Sequence, residues 1–285
     1  MTNFLVYDVF TKDAFGGNQL AVIPDATALP EAQLQKIARE FNFSETTFVY
    51  PPDDSQNTAK VRIFTPTMEV PFAGHPTIGT AVALAASGAG PEMTLELGIG
   101  PINCHAKDGQ ATFVTTAPLE IVSTPEVALT ARCLGLPPED VRSDVHPPTQ
   151  ASLGLPMVFV ELQDRATLSR ALPVTDAFRE GAATYPSDLD FALFAYVRDG
   201  ARLDARMFAP LDNIPEDPAT GSACATVTAL LSEKAGTPLE FTIYQGVDMG
   251  RPSLILTKAH PGVPMPIEVA GNAVQTMQGT LTIPT

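Results

Sequence analysis

Tryptophan is absent from the 285 residues, and basic residues are scarce. Seventeen Lys and Arg stand against 32 Asp and Glu, a formal net charge of −15. The missing tryptophan excludes nothing. The shortage of cations excludes nucleic acid as a partner, because a phosphate backbone demands a basic surface. The acidic balance reads as solubility. An anion can still be held by local donors, such as N–H groups at a helix N-terminus. Cys104, Cys133 and Cys224 are too few for a disulfide framework and suit a reducing cytoplasm. No segment approaches the roughly 18 consecutive apolar residues that span a bilayer, so no membrane partner is expected. Residues 1–8 read as a strand, not as a targeting segment. His75, His105, His146 and His260 show no paired spacing, so no metal site is expected. Gly98-Ile99-Gly100-Pro101 lacks the third glycine and the helix of a dinucleotide site. No phosphate-loop lysine and no hydrolase elbow are present.

What is present is a duplication. Arg62-Ile63-Phe64-Thr65-Pro66 and Arg206-Met207-Phe208-Ala209-Pro210 open two similar stretches 144 positions apart, and Pro71 and Pro215 keep the spacing. After a two-residue shortening, Gly79-Thr80-Ala81 aligns with Gly221-Ser222-Ala223, which sets His75 opposite Asp217. With 45% hydrophobic residues the chain can fill a core of one large or two ordinary domains, and the duplication favours two. The boundary is expected in the proline-interrupted stretch 118–125, giving domains of 1–118 and 119–285, with the last strands available to pack back on the first. Short β-branched and aromatic runs predict strands throughout. Helices are predicted over residues 30–41, 77–86, 125–134, 166–172 and 222–235. Those over 77–86 and 222–235 are rich in small residues and read as buried.

Four places could carry chemistry. Gly74-His75-Pro76-Thr77 precedes the first small-residue helix, in what reads as a turn rather than an apolar helix face. Glu216-Asp217-Pro218-Ala219-Thr220-Gly221-Ser222 precedes the second. Each helix start offers N–H groups to an anion, and a cleft between two matched turns would fit a small carboxylate. Glu45, in Phe43-Ser44-Glu45-Thr46-Thr47-Phe48, is a single acid in an apolar neighbourhood, where desolvation would suit it to general acid/base work. Gly16-Gly17-Asn18 follows the first strand and is by itself a turn. Cys104-His105 is not a dyad, because neighbours on a strand face opposite ways.

These segments, together with Asp8-Val9-Phe10-Thr11, Gln245-Gly246 and Gly250-Arg251-Pro252-Ser253, make the chain resemble the PhzF-like (phenazine biosynthesis) isomerase family over nearly its whole length. The resemblance implies an α+β, diaminopimelate epimerase-like fold: two pseudo-symmetric domains, each a curved β-sheet or barrel around a central helix. It implies a cofactor-independent isomerase that moves a proton on a small amino- or hydroxy-carboxylic acid, and a homodimer. By motif position, Glu45 takes and returns the proton, and His75 and Asp217 bind and orient the substrate. Gly74, Gly221 and Ser222 hold its carboxylate, and Asn18 lines the pocket. The chain departs from some relatives in carrying Ala73 before Gly74-His75, a position the acid/base role does not need.

A two-thiol racemase needs one thiol on each side of a cleft, but Cys224 aligns with Val82. A non-catalytic carboxylate-binding protein has no use for Glu45, His75 and Asp217 together. No acid in the second copy mirrors Glu45, which favours one shuttling carboxyl over two opposed bases.

Overall fold

A computed structural model describes residues 2–187 and 190–282. The chain divides into one unit of Met1–Thr115 with Val269–Thr285 and a second of Thr116–Glu268. The division thus falls three residues ahead of the boundary expected at 118, and the last strand belongs with the first unit.

The first unit runs β1 (Thr2–Val9), β2 (Asn18–Ile23), α1 (Glu31–Phe41), β3 (Glu45–Tyr50), β4 (Ala59–Phe64), β5 (Glu69–Val70), α2 (Gly74–Ala86), β6 (Glu92–Leu97), β7 (Gly100–Lys107) and β8 (Gln110–Thr115). The second runs β9 (Glu120–Ser123), α3 (Val127–Cys133), β10 (Val141–Arg142), β11 (Thr149–Ser152), β12 (Met157–Leu162), α4 (Arg165–Arg170), α5 (Thr175–Thr184), β13 (Leu193–Asp199), β14 (Arg202–Ala209), β15 (Ile214–Asp217), α6 (Gly221–Ala235), β16 (Glu240–Gln245) and β17 (Ser253–Ala259). The long β18 (Ile267–Leu281) follows and pairs with β1 and β8.

The duplication is visible in the pairing. In the first unit β2 and β3 are parallel, β3 and β4 antiparallel, β4 and β6 parallel, and β6 and β7 antiparallel. In the second the same sequence of pairings joins β12, β13, β14, β16 and β17. The arginine of each repeat also plays a matched part. Arg62 lies over the Phe64 ring at 5.2 Å and Arg206 over Phe208 at 4.9 Å, as residues two apart on one strand face must. Both are neutralised locally, Arg62 by Glu31 and Glu69, Arg206 by Glu216.

In the first unit the strands close into a ring, β1-β2-β3-β4-β6-β7-β8-β18 and back to β1. Helix α2 lies against β1, β2, β3, β7 and β8. Its residues from Gly74 to Ala83 are all buried. A helix that is apolar all round suits such a position, and small residues let the strands approach. A Cβ on Gly79 would sit 2.5 Å from Leu20 Cδ2 and 2.7 Å from Val9 Cγ2. Gly79→Ala is therefore expected to destabilise the protein by about 1–3 kcal/mol through overpacking, read as a lower thermal midpoint; an unchanged midpoint would contradict the packing described. In the second unit α6 is buried almost throughout, and a separate cluster around Phe178, Phe191, Val158 and Leu193 fills the space beneath α3 and α5.

Several elements differ from expectation. α2 begins at Gly74, not Thr77, because proline is tolerated in a first helical turn, where its missing N–H has no intrahelical partner. His75 is therefore in the helix, not in a turn. α5 carried no readable start signal, and its N-cap Val174 supplies no capping side chain. The run Gly279-Thr280-Leu281-Thr282-Ile283 reads as a strand in sequence, and its first three residues are the end of β18; Ile283 lies outside the described residues. Gly271 lies within β18 and is required there because a Cβ would lie 2.2 Å from Phe10 Cδ1.

Candidate active site

Glu45 opens β3, and strand alternation decides where it points. Thr47, two residues on, shares its face and accepts a hydrogen bond from Thr80 of α2 at 3.0 Å. Thr46 takes the opposite face with Phe48, which packs into the cluster of Leu34 and Ile37 on α1. Glu45 is thus turned to the α2 side, where His75 is the second helical residue. His75 Nδ1 is 3.1 Å from Glu45 Oε2, with the histidine side chain 4% exposed and the glutamate 17%. Glu45 Oε2 itself is shielded from solvent.

The other ring nitrogen, His75 Nε2, lies 3.3 Å from the Gln19 carbonyl. Burial pushes the imidazole down to about 3, against a smaller upward pull from that carbonyl. His75 is therefore neutral, and the contact with Glu45 is not a salt bridge. A neutral imidazole carries one N–H, and the Gln19 carbonyl can only accept, so that hydrogen belongs on Nε2. Nδ1 is then an acceptor. Its contact with Glu45 Oε2 is a hydrogen bond when the carboxyl carries the proton.

Asn18 begins β2 opposite Val9 and is buried. It is one residue before the Gln19 carbonyl, and Leu20 of the same strand pairs with Glu45. Gly74 is the first residue of α2, after Ala73, whose side chain supplies no cap. Glu45, His75, Asn18 and Gly74 are thus grouped in the first unit by β2, β3 and the start of α2. A cavity of about 910 Å³ in this unit touches Ala85 and Ala86, at the end of α2 away from His75.

Asp217, Gly221 and Ser222 lie in the second unit. Asp217 closes β15 and is 7% exposed. Its neighbour Glu216 faces Arg206, whose Nε and Nη2 donate to its two oxygens at 2.9 and 2.7 Å. Arg206 Nη1 donates to the Ala171 and Leu168 carbonyls, so the arginine is committed to structure. Gly221 and Ser222 are the first two residues of α6, behind Thr220. Thr220 Oγ1 donates to Asp217 Oδ2 at 2.5 Å. Thr220 and the Gln19 carbonyl were not singled out from sequence. The cap position immediately before Gly221 was the available signal for Thr220; nothing in the sequence marks a backbone carbonyl.

The cysteines are poor acid/base groups. All three are free and buried, and burial pushes Cys104 and Cys133 up to about 12. Cys224 is raised by burial and by the charge of Asp217. Among the described residues no cluster of His, Cys, Asp and Glu could hold a metal ion, and no helix is long and apolar enough to cross a membrane.

Two similar units, each with strands packed on a buried small-residue helix, define the α+β class expected of a diaminopimelate epimerase-like protein. A PhzF family protein of Bacillus anthracis superposes with a TM-score of 0.86 at 24% identity, over 99% of each chain. An uncharacterized isomerase of Mesorhizobium japonicum is 37% identical over 99% of each chain. The trans-2,3-dihydro-3-hydroxyanthranilate isomerase of Pseudomonas fluorescens is 35% identical over 99% of this chain and all of that one. The family model for phenazine biosynthesis-like proteins matches residues 7–279. The chain belongs to the phenazine biosynthesis-like family and is an isomerase.

Proposed function

We propose that the protein isomerises a small amino- or hydroxy-carboxylic acid by moving one proton with Glu45. The observation that carries this reading is the buried Glu45–His75 contact at 3.1 Å with a neutral imidazole. As carboxylate, Glu45 takes a proton from one carbon; the C–H electron pair moves into the adjoining unsaturated system. As carboxyl, Glu45 gives the same proton to a second carbon. Formula and electron count are unchanged, so the step needs no oxidant or reductant. His75 Nδ1 accepts from the carboxyl form and holds Glu45 in one orientation between the two transfers. By motif position, Asp217 binds and orients the substrate, and the N–H groups at Gly74, Gly221 and Ser222 hold its carboxylate. Asn18 lines the pocket.

The substrate class follows the relatives named for trans-2,3-dihydro-3-hydroxyanthranilate, and that compound is the probe to use. Incubated with it in D2O, the wild type is expected to place deuterium in part of the product, through exchange of the Glu45 proton with solvent between the two transfers, and Cys224→Ser is expected to do so at an unchanged rate. Loss of exchange in Cys224→Ser would instead favour thiol chemistry. Three buried unpaired thiols support a cytoplasmic location. The resemblance supports a homodimer, for which sedimentation should give twice the 30.2 kDa chain mass.

A further inference from the structure

One side chain from β16 holds the turn that leads into α6. Gln245, the last residue of that strand, is fully buried. Its Nε2 donates to the Asp217 carbonyl at 2.8 Å and to Thr220 Oγ1 at 2.9 Å. Its Oε1 accepts from Thr220 N at 3.1 Å. The next residue brings the strand end close against the same turn. Gly246 has φ +71°, and a Cβ there would lie 2.7 Å from Pro218 O and 2.4 Å from Arg251 O.

These bonds have a direction. The Asp217 carbonyl can only accept and the Thr220 N–H can only donate, so the carboxamide fits one way round. Both of its N–H groups are then committed, one of them to Thr220 Oγ1. That oxygen accepts from Gln245, and its own single proton goes to Asp217 Oδ2 at 2.5 Å. A buried apolar side chain could fill the same space. Only a carboxamide sets the direction of the threonine proton.

We propose that Gln245 is a positioning residue of the isomerase, acting through Thr220: it makes Thr220 a one-way donor to Asp217 and so fixes the orientation of that carboxylate. This rests on the reading of Asp217 as a substrate-binding group. Gln245→Glu is the informative change, because it puts an acceptor where Thr220 Oγ1 meets a donor and draws the threonine proton away from Asp217.

The experiment has two arms on the full chain, with folding checked by circular dichroism. In the first, without ligand, the Thr220 hydroxyl proton is observed by NMR and assigned by its loss in Thr220→Val. Its signal is expected to shift or vanish in Gln245→Glu; an unchanged signal overturns the proposal. In the second, trans-2,3-dihydro-3-hydroxyanthranilate is titrated as the probe. Gln245→Glu, Thr220→Val and Asp217→Asn are each expected to weaken binding by about tenfold, the scale of one hydrogen bond to a charged group. Thr220→Ser, which keeps the hydroxyl, is expected to stay within about twofold of wild type. Should Gln245→Glu fail to fold, the Thr220→Val and Thr220→Ser pair carries the test. Weakening by Asp217→Asn but not by Thr220→Val overturns the relay alone. No weakening by Asp217→Asn overturns the reading of Asp217, and the positioning role with it.

Discussion

Glu45→Gln is expected to lower turnover by about 10³-fold, within the range that a positioned acid/base contributes, while leaving the fold intact. The substitution is nearly isosteric and keeps the chain's path into β3, where Thr46 pairs with Phe64 and Thr47 with Ile63. It replaces a group that can take and give a proton with one that can do neither. The amide can still offer an N–H to His75 Nδ1, so the 3.1 Å contact survives and binding of the probe is expected to change little. The effect therefore falls on kcat rather than KM. Steady-state kinetics with trans-2,3-dihydro-3-hydroxyanthranilate, alongside a thermal melt, separate the two. A rise in KM alone would make Glu45 a binding group, and near-normal kcat would remove it from the chemistry.

The second large effect is on stability in mild acid. In the folded protein His75 titrates at about 3, and its ordinary value is 6.5. The unfolded chain therefore binds a proton below pH 6.5 that the folded chain refuses. Where the unfolded state holds more protons, stability falls as pH falls. Between pH 6.5 and 5, His75 alone is expected to cost the fold roughly 2 kcal/mol, at about 1.4 kcal/mol per pH unit. His146 adds to the same trend. Burial lowers it too, against an upward pull from the Pro147 carbonyl, and its Nε2 lies 2.7 Å from the Tyr196 hydroxyl. Denaturant melts from pH 6.5 to 5 test the sign. Asp212 works the other way, since burial and the neighbouring Asp190 raise it to about 6, so the test is the difference between two slopes: His75→Asn should lose less stability per pH unit than the wild type, whatever its absolute stability. An equal slope in His75→Asn would mean that the imidazole is not held neutral.

The duplication was legible because backbone geometry writes itself into sequence. An Arg and a Phe two residues apart on one strand face, then small residues on a helix that must sit among strands, recur at Arg62 and Arg206 for structural reasons. What the arginines do was less legible, since Glu31 and Leu168 lie far from them in sequence. The shielding of the Glu45 carboxyl was readable from its apolar neighbours. His75 was placed in a turn, since Gly74 and Pro76 look like one when Pro76 in fact occupies a permitted position in the first turn of α2. Gln245 was noticed only as part of a Gln-Gly pair. Its role depends on a turn 25 residues upstream, and no local pattern announces a hydrogen bond across that span. The length of β18 was not legible, because Gly271 lies within it and is explained only by Phe10 packed against the glycine.

In the proposed mechanism one carboxyl carries one proton between two carbons. The direct measurement is a single turnover in ordinary water of trans-2,3-dihydro-3-hydroxyanthranilate deuterated at the carbon that loses its hydrogen. Because Glu45 Oε2 is shielded from solvent, part of the deuterium should reappear in the product at the carbon that is protonated. Complete loss of the label to water, with turnover intact, would contradict a single shuttling carboxyl.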